Sequence, residues 1–203
     1  MEGTGAELVL NSVMFTGACT SPAGKASACA SYGGAIAVYR GALEVTDSTF
    51  QDCSATTQGG AIYGYGEVGS TLVAIASTTF EKTQAIEGGA IFVDRGTTLN
   101  VSVSTFSGCS AADDGGALIV RRDSTATVEA TLFQDNTAGR DGGALGITYS
   151  GGARVILKGG KNKFSGNEAR GSTNSNTVFM TGQDIELSFD VCPQGTYRDS
   201  ADY

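Results

Sequence analysis

Apolar residues fall at alternate positions in short runs along this chain, and the runs recur. After each of five Gly-Gly-Ala triplets one column reads Ile36, Ile62, Ile91, Leu118 and Leu145. The column two residues on reads Val38, Gly64, Val93, Val120 and Ile147. Counting back seven residues from a recurring phenylalanine gives Leu8, Leu43, Val73, Leu99, Ala126 and Leu157. Counting back five gives Leu10, Val45, Ile75, Val101, Val128 and Gly159. None of these columns carries a charge, whereas the residues between them, such as Glu44, Asn100, Thr127 and Lys158, are mostly polar. A period of two over a few residues predicts short strands with one face buried, and no stretch follows the 3.6-residue period of a helix.

The strands belong to a repeat. Gly-Gly-Ala-Ile or Gly-Gly-Ala-Leu begins at Gly33, Gly59, Gly88, Gly115 and Gly142, in steps of 26, 29, 27 and 27 residues. Phe15, Phe50, Phe80, Phe106, Phe133 and Phe164 run in phase with it, and an alanine (Ala55, Ala85, Ala111, Ala138, Ala169) follows each of the last five by five residues. One unit has too little apolar surface to fold alone. Stacking units about 4.8 Å apart buries one continuous column. The fold predicted is all-β: a right-handed parallel β-helix of about six coils, about 27 residues per coil.

The paired motifs Gly-Gly-Ala-Ile and Phe-x-x-Asn resemble the repeat of the chlamydial polymorphic outer membrane proteins over roughly residues 5 to 190, within the pectin-lyase-like superfold. At the Asn position this chain has Ala18, Cys53, Thr83, Cys109, Asn136 and Asn167. The resemblance implies a surface-exposed or secreted β-helix with an adhesive role. Residues 1–190 are therefore assigned to the solenoid, as a segment of a longer one or one capped by partners. Residues 191–203, opening with Cys192-Pro-Gln-Gly-Thr-Tyr, resemble the start of a small cysteine-rich module.

The glycine pair recurs and always leads into a strand, so it is a corner and not a phosphate loop, which would be unique and precede a helix. Glycine suits a corner that needs φ > 0 and a close stack with no room for Cβ. The residues before the pairs form a column of their own: Tyr32, Gln58, Glu87, Asp114 and Asp141. Consecutive carboxylates repel unless compensated. Three readings stand: a solvated edge relieved by neighbours such as Arg140, a weak calcium site using Asp113, Asp114 and Asp141, or a paired general acid and base. The basic residues Arg40, Arg95, Arg121 and Arg122, beside Asp94 and Asp123, read as a mixed-charge turn.

Composition narrows the chemistry. With 13 basic and 21 acidic residues the net charge is −8, which disfavours nucleic acid as a partner. No apolar run is long enough for a membrane span. The absence of histidine removes Ser-His-Asp triads and histidine metal sites. Thirty glycines against two prolines fit tight turns better than a disordered linker. Of five cysteines, Cys19 and Cys29 bracket the one enlarged corner and are expected to form a disulfide, which implies an oxidising compartment. Cys53 and Cys109 lie two coils apart, too far to bridge, and are expected to be buried thiols. Asn100-Val101-Ser102 is a glycosylation sequon on an outward strand position.

These readings predict a non-enzymatic extracellular or cell-surface structural and adhesive β-helix. It would need no cofactor, and its partners would be other domains or subunits of a surface assembly, or glycans. Tyr63, Phe92 and Ile119 fall on consecutive coils at outward positions. They are either a contact surface or are covered by another turn. Two other classes remain: a polysaccharide lyase or hydrolase, and an ice-binding protein. For the latter, the column Val13, Ser48, Thr78, Ser104, Thr131 and Asn162 is polar but irregular.

Overall fold

A computed structural model describes residues 6–17, 30–67, 69–148, 151–171, 177–181 and 186–189. These residues form parallel sheets stacked as a β-solenoid of about five turns with a spacing of about 27 residues, and they contain no helix.

Four sheets run along the stack. The longest has seven strands: Glu7–Asn11, Ala42–Thr46, Thr71–Ala76, Thr97–Ser102, Thr125–Glu129, Arg154–Lys158 and Glu186–Phe189. The second carries the phenylalanines in six three-residue strands, from Met14–Thr16 to Lys163–Ser165. A third of four two-residue strands, Gln84–Ala85 to Glu168–Ala169, follows the alanine column. The fourth leaves the glycine corners: Ile36–Tyr39, Ile62–Tyr65, Ile91–Asp94, Leu118–Arg121, Leu145–Thr148 and Val178–Thr181. Ile36 pairs with Ile62, Ile62 with Ile91, Ile91 with Leu118 and Leu118 with Leu145, so the apolar columns stack in register.

The core runs through the middle of the coil. Phe50, Phe80, Phe106 and Phe133 are fully buried, and from Phe15 to Phe164 successive rings stack at 4.7–4.9 Å with interplanar angles of 3–6°. That separation is the strand spacing itself, so the ladder sets the stack. At Gly64, the one gap in its column, the side chains of Thr97, Val93 and Val73 close in on the space, 3.1–3.4 Å from where a Cβ would lie.

One coil departs from the predicted register. Leu157 and Gly159 were expected to continue the two columns of the seven-stranded sheet. Instead Val155 pairs with Ala126 and Leu157 with Val128. Two extra residues lie between Leu157 and Phe164, and Gly159 and Gly160 absorb them in a turn at φ 71° and 58°. Alternation within the strand holds; the distance to the phenylalanine does not.

The two glycines of each corner do different work. The first sits at φ 61–67° in all five corners, and a Cβ there would strike the carbonyl three residues on in its own chain, at 2.1–2.6 Å. The second faces the next coil: a Cβ at Gly34, Gly60, Gly89 or Gly116 would lie 2.0–2.1 Å from the carbonyl oxygen of the second glycine one coil on. Conformation demands one glycine and stacking demands the other.

Candidate functional site

The fourth sheet brings most of the candidate residues together, on its outer side. Tyr63, Phe92 and Ile119 do point away from the central core, as alternation requires, yet they are buried: Tyr63 is 5% exposed and the other two are fully enclosed. They form a second, smaller apolar cluster with Tyr65 packed against it. The reading of these three as an exposed contact surface is therefore corrected. The chain folds back at each glycine corner, so the residues just before it lie over the outer face of the strand just after it. Gly115 shows the closeness: a Cβ on it would meet Ile119 Cγ1 at 2.5 Å. Gly146 likewise leaves room for Ile119 Cδ1.

The column that covers this cluster is the acidic one, and it is internally bonded. Gln58 Nε2 donates to Glu87 Oε2 at 2.7 Å, and Glu87 in turn pairs with Arg121. The Arg121 guanidinium lies 5.0 Å from the Phe92 ring centroid, and its Nε donates to Thr148 Oγ1 at 2.9 Å. Arg121 is thus not in the solvated turn that its sequence position suggested but 5% exposed, inside the fold-back. One coil on, Arg140 grips Asp114 with two bonds, Nε to Oδ1 at 3.0 Å and Nη2 to Oδ2 at 2.5 Å, and reaches Asp113 at 3.2 Å and Asp141 at 3.9 Å.

The carboxylates that converge are Glu87, Asp113 and Asp114, with ligand oxygens within 4.8 Å of one another. The expected set of Asp113, Asp114 and Asp141 is corrected: Glu87, one coil back, takes the place of Asp141. The edge is also less solvated than the first reading supposed, since Asp114 is only 2% exposed. Each member already faces a guanidinium: Glu87 that of Arg121, and Asp113 and Asp114 that of Arg140. A cation would have to displace an arginine to collect the six to eight oxygens calcium takes. Burial pushes the Asp113 carboxyl above its ordinary range, with the Asp114 charge adding and Arg140 opposing. Bidentate pairing with Asp114 drives the Arg140 guanidinium further upward.

Inside the coil lies a second polar ladder, at the position three residues after each phenylalanine. Asn136 Nδ2 donates to Phe106 O (3.1 Å) and to Asn167 Oδ1 (2.8 Å), and its own Oδ1 accepts from Cys109 N–H (2.9 Å). Asn167 repeats the pattern toward Phe133 O at 2.9 Å and Asn136 N–H at 3.1 Å. Cys109 and Cys53 hold the same rung with thiols directed at Phe80 O and Phe15 O. Both are buried and unbridged, and burial pushes each thiol up to about 11. Thr83 is the weak rung: its Oγ1 is the buried side-chain atom without a hydrogen-bond partner among the described residues.

The polar column two residues before each phenylalanine also faces inward. Ser48, Thr78, Ser104 and Thr131 are at most 3% exposed, and each hydroxyl donates to the carbonyl two residues back at 2.7–2.9 Å. It closes turns and offers no face to ice. Asn100 is exposed on the outer face of the seven-stranded sheet, where the sequon placed it. Cys19, Cys29 and Cys192 lie outside the described residues.

Tyr39 and Tyr65 escaped the sequence reading, as did their grouping with Tyr32 and Tyr63. Tyr32, Tyr39 and Tyr65 gather around Tyr63, with ring centroids 4.9, 5.7 and 6.0 Å from it. The signal was present but split between two columns: Tyr32 precedes a glycine corner, while Tyr39 and Tyr65 end the strands that follow one. Burial, followed by the neighbouring Tyr32 and Tyr65, raises the Tyr39 phenol.

Compared with known proteins, the chain matches no protein-family model, no curated protein and no solved structure.

Proposed function

We propose that this chain is a non-enzymatic structural and adhesive module of an extracellular or cell-surface assembly, as its polymorphic-outer-membrane-protein-like repeat suggests. The observation that carries this reading is the outer face of the seven-stranded sheet. Its strands pair in unbroken register, so Glu44, Ala74, Asn100, Thr127 and Ile156 form one ladder and Thr46, Ala76, Ser102, Glu129 and Lys158 another. Such a face offers a partner protein or glycan a repeating row of small and polar groups on a rigid backing. Its partners are other domains or subunits of that assembly, or glycans, and the excess of acidic residues argues against nucleic acid. No helix is long and apolar enough to cross a membrane among the described residues.

Groups that could perform acid–base chemistry are engaged elsewhere. Glu87, Asp113 and Asp114 support the fold-back through Arg121 and Arg140, which favours a structural role over a lyase or hydrolase centre. An oxidising compartment would follow from the expected Cys19–Cys29 disulfide, and a glycan on the Asn100 sequon would accord with it. The test is incubation with polygalacturonate, pectin and alginate, following reducing ends and ultraviolet-absorbing unsaturated products. The expected result is no release above buffer; turnover abolished by Asp114→Asn would replace this reading with a polysaccharide-cleaving one.

A further inference from the structure

We infer that the tyrosine cluster at the first described glycine corner is a binding platform for a neutral oligosaccharide, an inference that rests on the non-enzymatic reading above and names a ligand class for it. The outer column of the fourth sheet reads Ala37, Tyr63, Phe92, Ile119 and Gly146 in register. At Phe92 and Ile119 a large side chain fills the space beneath the fold-back, and both are fully buried. At Gly146 a neighbour, Ile119 Cδ1, takes the space and the residue is buried; at Ala37, on the edge strand of the sheet, the side chain is a single methyl and the residue is exposed. Two tyrosines flank the space left open: Tyr32, 42% exposed, and Tyr39, 57% exposed, with Tyr63 as the base beneath them.

The rings are not arranged as a core. In the phenylalanine column neighbours are parallel within 3–6°, whereas Tyr32 and Tyr39 tilt by 37° and 53° from Tyr63. They tilt against Tyr63 instead of stacking on it, and both remain exposed. The third ring of the group, Tyr65, already has the Arg95 guanidinium over it at 5.6 Å. The exposed apolar surfaces of the group are thus those of Tyr32 and Tyr39.

Chemistry selects the guest. A pyranose ring has an apolar C–H face and a rim of hydroxyls, which matches an aromatic face bordered by phenol hydroxyls and polar side chains. The adjacent Arg40 is ion-paired with Glu67, both well exposed, so the border offers donors and acceptors without a bare charge to select an anion. A protein partner suits it less. Two exposed rings and a methyl fall far short of the roughly 800 Å² a stable protein interface buries on each side, whereas a few rings with polar neighbours suffice for a small ligand.

The protein itself supplies the probe. It has no tryptophan, and four of its seven tyrosines belong to this cluster, so intrinsic tyrosine emission reports on the site. The full chain is titrated with cellohexaose, chitohexaose and mannohexaose. Saturable quenching by at least one is expected, weakened about tenfold or more in Tyr32→Ala and in Tyr39→Ala and largely kept in Tyr39→Phe, with melting temperatures unchanged because both rings are exposed. No saturable change up to millimolar sugar, or binding indifferent to the Tyr32→Ala/Tyr39→Ala pair, overturns the site while leaving the structural reading intact. Cleavage of a bound hexasaccharide overturns the non-enzymatic reading while leaving the site.

Discussion

The asparagine ladder makes the sharpest test of how this stack is held together. Asn136→Thr would convert a satisfied rung into a second Thr83. It removes the acceptor for Cys109 N–H and the donors to Phe106 O and Asn167 Oδ1, three bonds of 2.8–3.1 Å inside the coil. At about 1 kcal/mol net each, with a further penalty for a buried N–H left unpaired, the loss is about 3–4 kcal/mol. For a protein of this length about 1 kcal/mol moves Tm by ~2–4 °C, so the variant should melt about 6–16 °C lower. Thr83→Asn runs the experiment in reverse. It removes the buried hydroxyl that lacks a partner and offers an amide to Phe50 O and to Cys53 N–H. Two new bonds contribute about 1–3 kcal/mol, and the third cannot form because the next rung, Cys109, carries no amide. Differential scanning calorimetry with far-UV circular dichroism reads both variants, since solenoid coils that unfold separately would broaden the calorimetric transition before shifting it. A Thr83→Asn protein less stable than wild type, or an Asn136→Thr protein melting within about 2 °C of it, would refute the rung accounting.

Three further outcomes follow from the same geometry. Gly116→Ala, whose Cβ would lie 2.0 Å from Gly143 O, should prevent soluble folding. Gly108→Ala, with nothing nearer than Lys82 Cγ at 3.7 Å, should cost only about 1–2 kcal/mol for its left-handed φ; equal losses in the two would contradict the stacking argument. Cys53 and Cys109 should resist maleimide until the protein unfolds. Because the fold holds each thiol proton more tightly, their contribution to stability is complete below the ordinary thiol pKa of about 8.5 and is lost as pH rises toward 11. Rapid native-state labelling would refute their burial. Millimolar calcium should move Tm by less than about 2 °C, since Arg121 and Arg140 already neutralise the acidic cluster, and a large gain abolished by Asp114→Asn would show that they do not.

Most of the architecture was legible because a solenoid writes each contact several times. The phenylalanine and glycine positions repeat at nearly constant intervals, so the pairing of Ile62 with Ile91 or of Phe80 with Phe106 could be read by alignment within the chain itself. Where the interval changes, the reading slips. Leu157 was counted from Phe164, and the two residues added by the Gly159–Gly160 turn moved it into the neighbouring column. Alternation fixes which face a side chain takes within a strand; only the turn lengths fix which rung it meets.

The site was harder to read, because direction and exposure are separate properties. Period-two patterning correctly sends Tyr63, Phe92 and Ile119 away from the central core, but a strand has solvent on its outer face only if nothing folds over it. Here the glycine corner reverses the chain tightly enough that Glu87 and Asp114 lie above the following strand, and their charges then need partners where water is scarce. Arg121 provides one from within the fold-back and Arg140 the other from its exposed rim, so Arg121, which looks like part of an exposed mixed-charge turn, is a buried half of the clasp. The same logic explains why Ala37 matters. A small residue alone does not open the fold-back, since Gly146 is buried with Ile119 Cδ1 taking its space; Ala37 differs in lying on the edge strand of its sheet with two exposed tyrosines near it, and that is where this covered face opens to a ligand.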